Sequence, residues 1–359
     1  MKFVIINDTH AGVSNSSDAH LDAAEEFYST VLFPYMLEHD LKHIVHLGDF
    51  FDNRRVINAK CLKHIERVFL DKLVEYDITM DIILGNHDVY YKSTNKVSAT
   101  ESILMRHPNV DVIREPIIRD YDGLNIALLP WINQENHDDS IKFISESSSK
   151  ARILFGHLEL GGFSMMKNGM KSSTEHGMSI GLFEKYETVL TGHFHTKSTM
   201  NNITYVGTQL EFTWSDCNDP KAFHVFDTAQ PDNLLAVPNP NKLFIKLHYD
   251  DTDKTDASEF PELKQQLKNK FVKVIVEHKE NPVLFDTYIN QIDNQDPHDL
   301  KIHEVFDEYN GESVGDLHLE TEDTLTILNK YVDAVDTPLD KSKIMKKLTA
   351  LYSEALNKS

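Results

Sequence analysis

Residues 81–88 read DIILGNHD: a short apolar run that stops at a glycine followed by a carboxamide, an imidazole and a carboxylate. A run of four to six Ile, Val and Leu residues reads as a buried strand. A simple turn has little need for the trio Asn86, His87 and Asp88 behind it. Four other runs end alike. FVII leads into Asn7, Asp8, Thr9 and His10, and IVHL leads into Gly48 and Asp49. RILF leads into Gly156 and His157, and TVLT leads into Gly192, His193, Phe194 and His195. In an open α/β sheet the carboxyl ends of the strands share one edge, where ligands bind. The five loops are therefore expected to meet. Glycine before the polar residue in four of them permits close backbone approach.

Amphipathic stretches at 18–39 and 57–76 alternate with these runs, the second carrying Leu62, Ile65, Val68, Phe69 and Leu73 on one stripe. The alternation implies an α/β core with much parallel sheet. Segments around 117–129, 197–206 and 221–227 read as plain strands of a second, mixed sheet. The Pro-bearing stretch 229–241 reads as a linker, so residues 1–230 form the main domain. LFIKLHY, FVKVIVE and LKIHEVF, with a helix near 283–293, make a small α/β domain over 242–306. An acidic linker and C-terminal helices fill 307–359. The stripe Leu339, Ile344, Leu348, Leu351, Tyr352 and Ala355 serves either its own domain or a partner.

Of the 359 residues 40% are apolar, enough for an ordinary core, and no stretch approaches a membrane span. The start MKFVIINDTH lacks a signal-peptide layout, and Cys61 and Cys217 are the sole cysteines, which suits a reducing cytoplasm. A net charge of −21 argues against a basic nucleic-acid surface, but bound cations reverse the local sign in a site of carboxylates and histidines.

Imidazole, carboxylate and amide oxygen without thiolate suit Mn²⁺, Fe²⁺ or Zn²⁺. Two carboxylates, one amide and four imidazoles are too many for one catalytic ion with open positions. They suit two ions about 3.5–4 Å apart that activate water and clamp an in-line displacement at phosphorus. His193 and His195, spaced i and i+2, would share a strand face. Gly192 breaks the run before them, so spacing alone leaves three readings: one ion, two ions, or a strand-end surface.

The set DTH, GD, GNHD, GH and GHFH resembles the calcineurin-like binuclear metallophosphoesterases. The finer resemblance is to the nuclease subunits of SbcCD-type DNA repair complexes, above all the T-even phage recombination nucleases. GDFFDNR at 48–54, GNHDVYY at 85–91, LPWINQEN at 129–136 and GHLELGGF at 156–163 carry it, with YVGTQLEFTWSD at 205–216 and NDPKAFHVFD at 218–227. It covers residues 1–230 well and the rest in outline. The resemblance implies a four-layer α/β/β/α sandwich with a small α/β DNA-capping domain and C-terminal helices. It also implies two Mn²⁺, with Mg²⁺ or another divalent ion as alternatives. One ion would take Asp8, His10, Asp49 and His195, the other Asp49, Asn86, His157 and His193. His87 would stabilise or protonate the leaving oxygen, oriented by a hydrogen bond to Asp88.

The implied activity is 3′→5′ exonuclease on duplex DNA and endonuclease on single strands, in recombination and double-strand-break repair. The implied partners are DNA, an SbcC-type coiled-coil ATPase and a second copy of the chain, with no membrane, in the host cytoplasm if phage-encoded. Residue 52 is Asp where some relatives carry a histidine, and the first motif is NDTHAG rather than SDxHLG. Protein phosphatases favour DRG and GNHE, which this chain lacks. A small-molecule phosphodiesterase and an inactive scaffold are the other readings. Lys167, Lys171 and Trp214 are candidate DNA contacts. The 57–76 stripe, with Ile103 and Leu104, is either a dimer face or intramolecular core. Asp250, Asp251 and Asp253 read as a solvated turn rather than a calcium site.

Overall fold

The computed structural model describes residues 1–163, 177–304 and 341. Two six-stranded sheets stack face to face. The first runs Leu235–Pro238, Ala222–Asp227, Lys2–Ile6, His43–His46, Thr79–Ile83 and Val110–Ile113, the last four parallel. The second runs Ser198–Met200, Ile203–Tyr205, Thr188–Gly192, Ile153–His157, Leu124–Leu129 and Ile117–Tyr121. Its middle four strands are parallel.

Strand alternation sorts the apolar residues into layers. Phe3 and Ile5 face the second sheet and pack with Phe155, Leu190 and Leu128. Val4 and Ile6 face outward, onto helices that contribute Phe27, Tyr28, Phe69 and Leu73. On the far side Leu154, Val189 and Ala127 pack with Ile144 of helix His137–Ser147. The order is helix, sheet, sheet, helix. Each of the two long helical stretches, Asp18–Glu38 and Ala59–Glu75, contains one π turn, at Tyr28–Leu32 and Glu66–Leu70.

Three expectations change. The five motif-bearing strands do not lie in one sheet: three belong to the first and two to the second. The second sheet is mixed as expected, but its plain strands enclose Thr188–Gly192 and Ile153–His157, and Ala222–Asp227 is not in it: that strand pairs antiparallel with Lys2–Ile6. The 229–241 stretch contains an edge strand, Leu235–Pro238, with Pro238 at its end, where no ladder donor is needed. The stripe on Ala59–Glu75 is also decided. Ile65, Val68, Phe69, Leu73 and Leu104 are buried in the core, with Ile103 packed against them, so these side chains are not a dimer face.

A third sheet of three parallel strands, Phe244–Asp250, Phe271–His278 and Asp299–Glu304, carries helix Pro282–Asp293. Its core includes Tyr249, Phe260, Val274 and Tyr288. Phe244 and Phe271 stack and meet His20, while buried Glu211 accepts from the N–H groups of Leu243 and Phe244 at 2.7 and 2.9 Å. Asp251 is spent on backbone: it accepts from Glu280 and Asn281 N–H and from the Tyr249 hydroxyl. The expectations for 307–359 lie outside the described residues, apart from Lys341.

Candidate metal centre

Two stacked sheets bring five strand ends to one place. Asp8, His10 and Asp49 follow first-sheet strands, as do Asn86 and His87. His157 ends one second-sheet strand, and His193 and His195 follow another. The loops are tightly knitted. Asp8 N donates to Gly48 O at 2.9 Å, and His10 N to Asp49 O at 3.1 Å. A Cβ on Gly85 would stand 2.2 Å from Asp49 Oδ1, and one on Gly192 2.8 Å from Asp8 Oδ2. Asp8, His10, Asp49 and His193 all have positive φ, from 43° to 92°, a region non-glycine residues avoid outside strained functional loops.

The side chains fall into overlapping groups: Asp8, His10 and His195; His10, Asp49 and His87; and Asp49, His157 and His193. Asn86 Oδ1 lies 3.0 Å from His157 Nε2 and 2.9 Å from His193 Nδ1. His195 Nε2 lies 3.2 Å from His10 Nε2. The two histidines of GHFH thus go to different groups. Phe194 between them is buried and stacks on Tyr205 at 4.4 Å.

Residues behind these groups fix their tautomers. His157 Nδ1 donates to Leu47 O at 2.7 Å, which turns Nε2 toward Asn86 and Asp49. His87 Nδ1 donates to the Asp52 carbonyl, and the Asp52 carboxylate lies 3.4 Å from His10 Nδ1. Asp88 does not touch the His87 ring as expected. Its carboxylate accepts from Asp49 N, Phe50 N, Gly85 N and the Thr100 hydroxyl, all within 3.0 Å, so it ties two loops together. His46 takes the Gly48 N–H on Nδ1 and pairs with the Thr9 hydroxyl through Nε2. Gln209 clasps Asn7, donating to its carbonyl at 2.9 Å. Trp131 walls the site, 5.3 Å from His193 and 5.9 Å from His157 between ring centroids. Trp214 lies elsewhere: it meets Phe244 at 5.1 Å, with the Lys273 ammonium 4.4 Å above its ring. Lys167 and Lys171 are outside the described residues.

Electrostatics fit cations. Asp8 and Asp49 are buried, and among the described residues histidines are their only charge partners. Burial disfavours charge on Asp49, but His157, His10 and His87 outweigh it and hold its carboxyl well below the usual range. Burial likewise opposes a proton on His157, yet Asp49 at 3.3 Å raises the imidazole to about 9. Burial, with His157 beside one and His10 beside the other, lowers His193 and His195 to about 4. Opposed imidazoles around buried carboxylates are the donor set a divalent ion requires.

A model of the calcineurin-like phosphoesterase family matches residues 1–197, more than half the chain, and these include all nine candidate metal and catalytic residues. The chain belongs to that family. It is 30% identical to "Exonuclease subunit 1" of Enterobacteria phage T4 over 357 residues, 99% of each chain. It is 24% identical to an SbcCD nuclease subunit of Staphylococcus epidermidis over 257 residues, covering 63% of this chain and 66% of that one. The corresponding SbcCD nuclease subunit of Staphylococcus saprophyticus is 23% identical over 51% of this chain and 54% of its own length.

Proposed function

We propose that this phosphoesterase is a DNA nuclease whose centre holds two divalent cations, Mn²⁺ by preference. One would be held by Asp8, His10, Asp49 and His195, the other by Asp49, Asn86, His157 and His193, with Asp49 shared. The observation that carries this reading is the parting of His193 and His195 to separate donor groups 2.9 Å from Asn86 and 3.2 Å from His10. Such ions would supply an activated water at neutral pH and neutralise charge on the phosphate. The nuclease names of the relatives, at 99% mutual coverage for the phage protein, support a nucleic acid as substrate.

The chain's own residues do the rest. His87, its Nδ1 fixed by the Asp52 carbonyl, has Nε2 left to hand a proton to the leaving oxygen. Asp88 holds the loops that set Asp49 against Asn86. The small domain read over 242–306, which carries the third sheet, is proposed as a cap on the DNA, and the C-terminal segment as the grip for a coiled-coil ATPase. A homodimer and a host-cytoplasmic setting complete the proposal.

The test is an end-labelled linear duplex incubated with the purified protein and Mn²⁺. The expected result is loss of nucleotides from 3′ ends, abolished by chelation and by His87→Asn while the His87→Asn chain still binds metal. Intact duplex, with hydrolysis confined to small phosphodiesters, would contradict the reading.

A further inference from the structure

We propose that the cleft beside Trp131 receives the nucleobase of a nucleotide flanking the bond that is cut, with the indole as its stacking surface. The proposal rests on the nuclease reading above. The cleft encloses 480 Å³ and opens next to His157. Trp131, Leu158 and Met178 give it apolar walls, and Asn133 and Gln134 give it amide groups. The carboxylates of Asp138 and Glu159 and the imidazoles of His137 and His157 complete the lining. Such a lining sets a π face, apolar walls and hydrogen-bond acceptors side by side. It accepts a flat, neutral ring whose amino edge can donate to carboxylate or amide oxygen.

The main chain that carries the indole is firmly held. Trp131 N donates to Leu84 O at 2.7 Å, on the strand end that leads into GNHD. Its carbonyl accepts from Asn95 Nδ2 at 2.9 Å and Asn136 Nδ2 at 3.0 Å. The ring itself lies against His193 and His157, 5.3 and 5.9 Å between centroids, one nucleotide's reach from the candidate centre. Stacking on a pre-set aromatic surface tolerates every base, because each presents a π face.

The test compares a duplex of ordinary sequence with duplexes that carry one abasic residue on either side of the scissile bond. The wild-type protein should prefer the intact strand over one of the abasic strands by about 5-fold to 100-fold in kcat/KM. Trp131→Ala should bring that ratio close to one, while Trp131→Phe should retain most of it. Because the ratio is taken within each variant, a general loss of activity does not mimic the effect. In a Trp214→Phe background Trp131 is the only indole, and a deoxynucleoside monophosphate should quench its emission where inorganic phosphate does not. No base preference in the wild type, or the same preference in Trp131→Ala, overturns the proposal. A wild-type protein that cuts none of the duplexes overturns the nuclease reading and this proposal together.

Discussion

The Cα of Gly85 sits where any side chain would displace Asp49, the carboxylate proposed to serve both ions. Gly85→Ala puts a methyl 2.2 Å from Asp49 Oδ1 and 2.5 Å from its backbone nitrogen. Displacement of a reacting group by about 1 Å costs on the order of 100-fold in rate. The expected outcome is a folded protein with weakened metal binding and at least that loss in phosphodiester cleavage. Wild-type turnover in Gly85→Ala would show that the loop spacing is not what sets the centre. The side chains of the centre were legible in the sequence because each loop carries its own carboxylate, amide or imidazole. Their supports were not. His87 is held by the carbonyl of Asp52 and His157 by that of Leu47, and every residue type has a carbonyl. Asp88 was legible as a polar neighbour of His87, but its bonds run to backbone N–H groups of another loop.

At the scale of elements, the apolar runs announce strands but not which sheet they join. A strand buried on both faces needs Ile, Val and Leu on either side whether its neighbours are in the first sheet or the second. The partition into two sheets therefore emerges only from pairing. It matters for function, because Asp8, Asp49 and Asn86 come from one layer and His157, His193 and His195 from the other. The stacking of the sheets closes the centre. The His195 loop is anchored in turn: Thr208 N donates to its carbonyl at 3.0 Å, and Lys221 Nζ does so at 3.2 Å. Lys221 is itself buried and paired with Asp216 at 2.7 Å and Asp219 at 3.0 Å. Lys221→Met leaves two buried carboxylates without a cation, a change that costs about 3–5 kcal/mol. Denaturant unfolding should register a loss of that size. An unchanged midpoint would mean the triad is not paired in solution.

For the whole molecule, stability should depend on pH through histidines that fold in neutral. His224 is buried, and burial with the nearby Lys197 ammonium lowers it to about 3. Its folded value lies below the ordinary imidazole value, so the unfolded chain binds the proton first as pH falls. The stability it contributes is complete above about pH 6.5 and is lost progressively between about 6.5 and 3. In metal-free protein, His224→Gln should flatten the fall of stability below pH 6.5 by about 1.4 kcal/mol per pH unit. Identical slopes would show that His224 is protonated in the folded state. The layered fold and its small third sheet were legible from alternating runs and helical stripes. The edge strand at Leu235–Pro238 was not, because Pro238 and the neighbouring Pro231 and Pro240 mask a strand that pairs on one side only.

The central claim is that the centre takes two ions and gives one histidine of GHFH to each. Its most direct test is the number of Mn²⁺ ions bound per chain, measured by calorimetric titration of wild type, His193→Ala and His195→Ala. The account predicts two ions for the wild type, with each substitution weakening a different one and leaving the other bound. One ion in the wild type, or the same ion weakened by both substitutions, would contradict it.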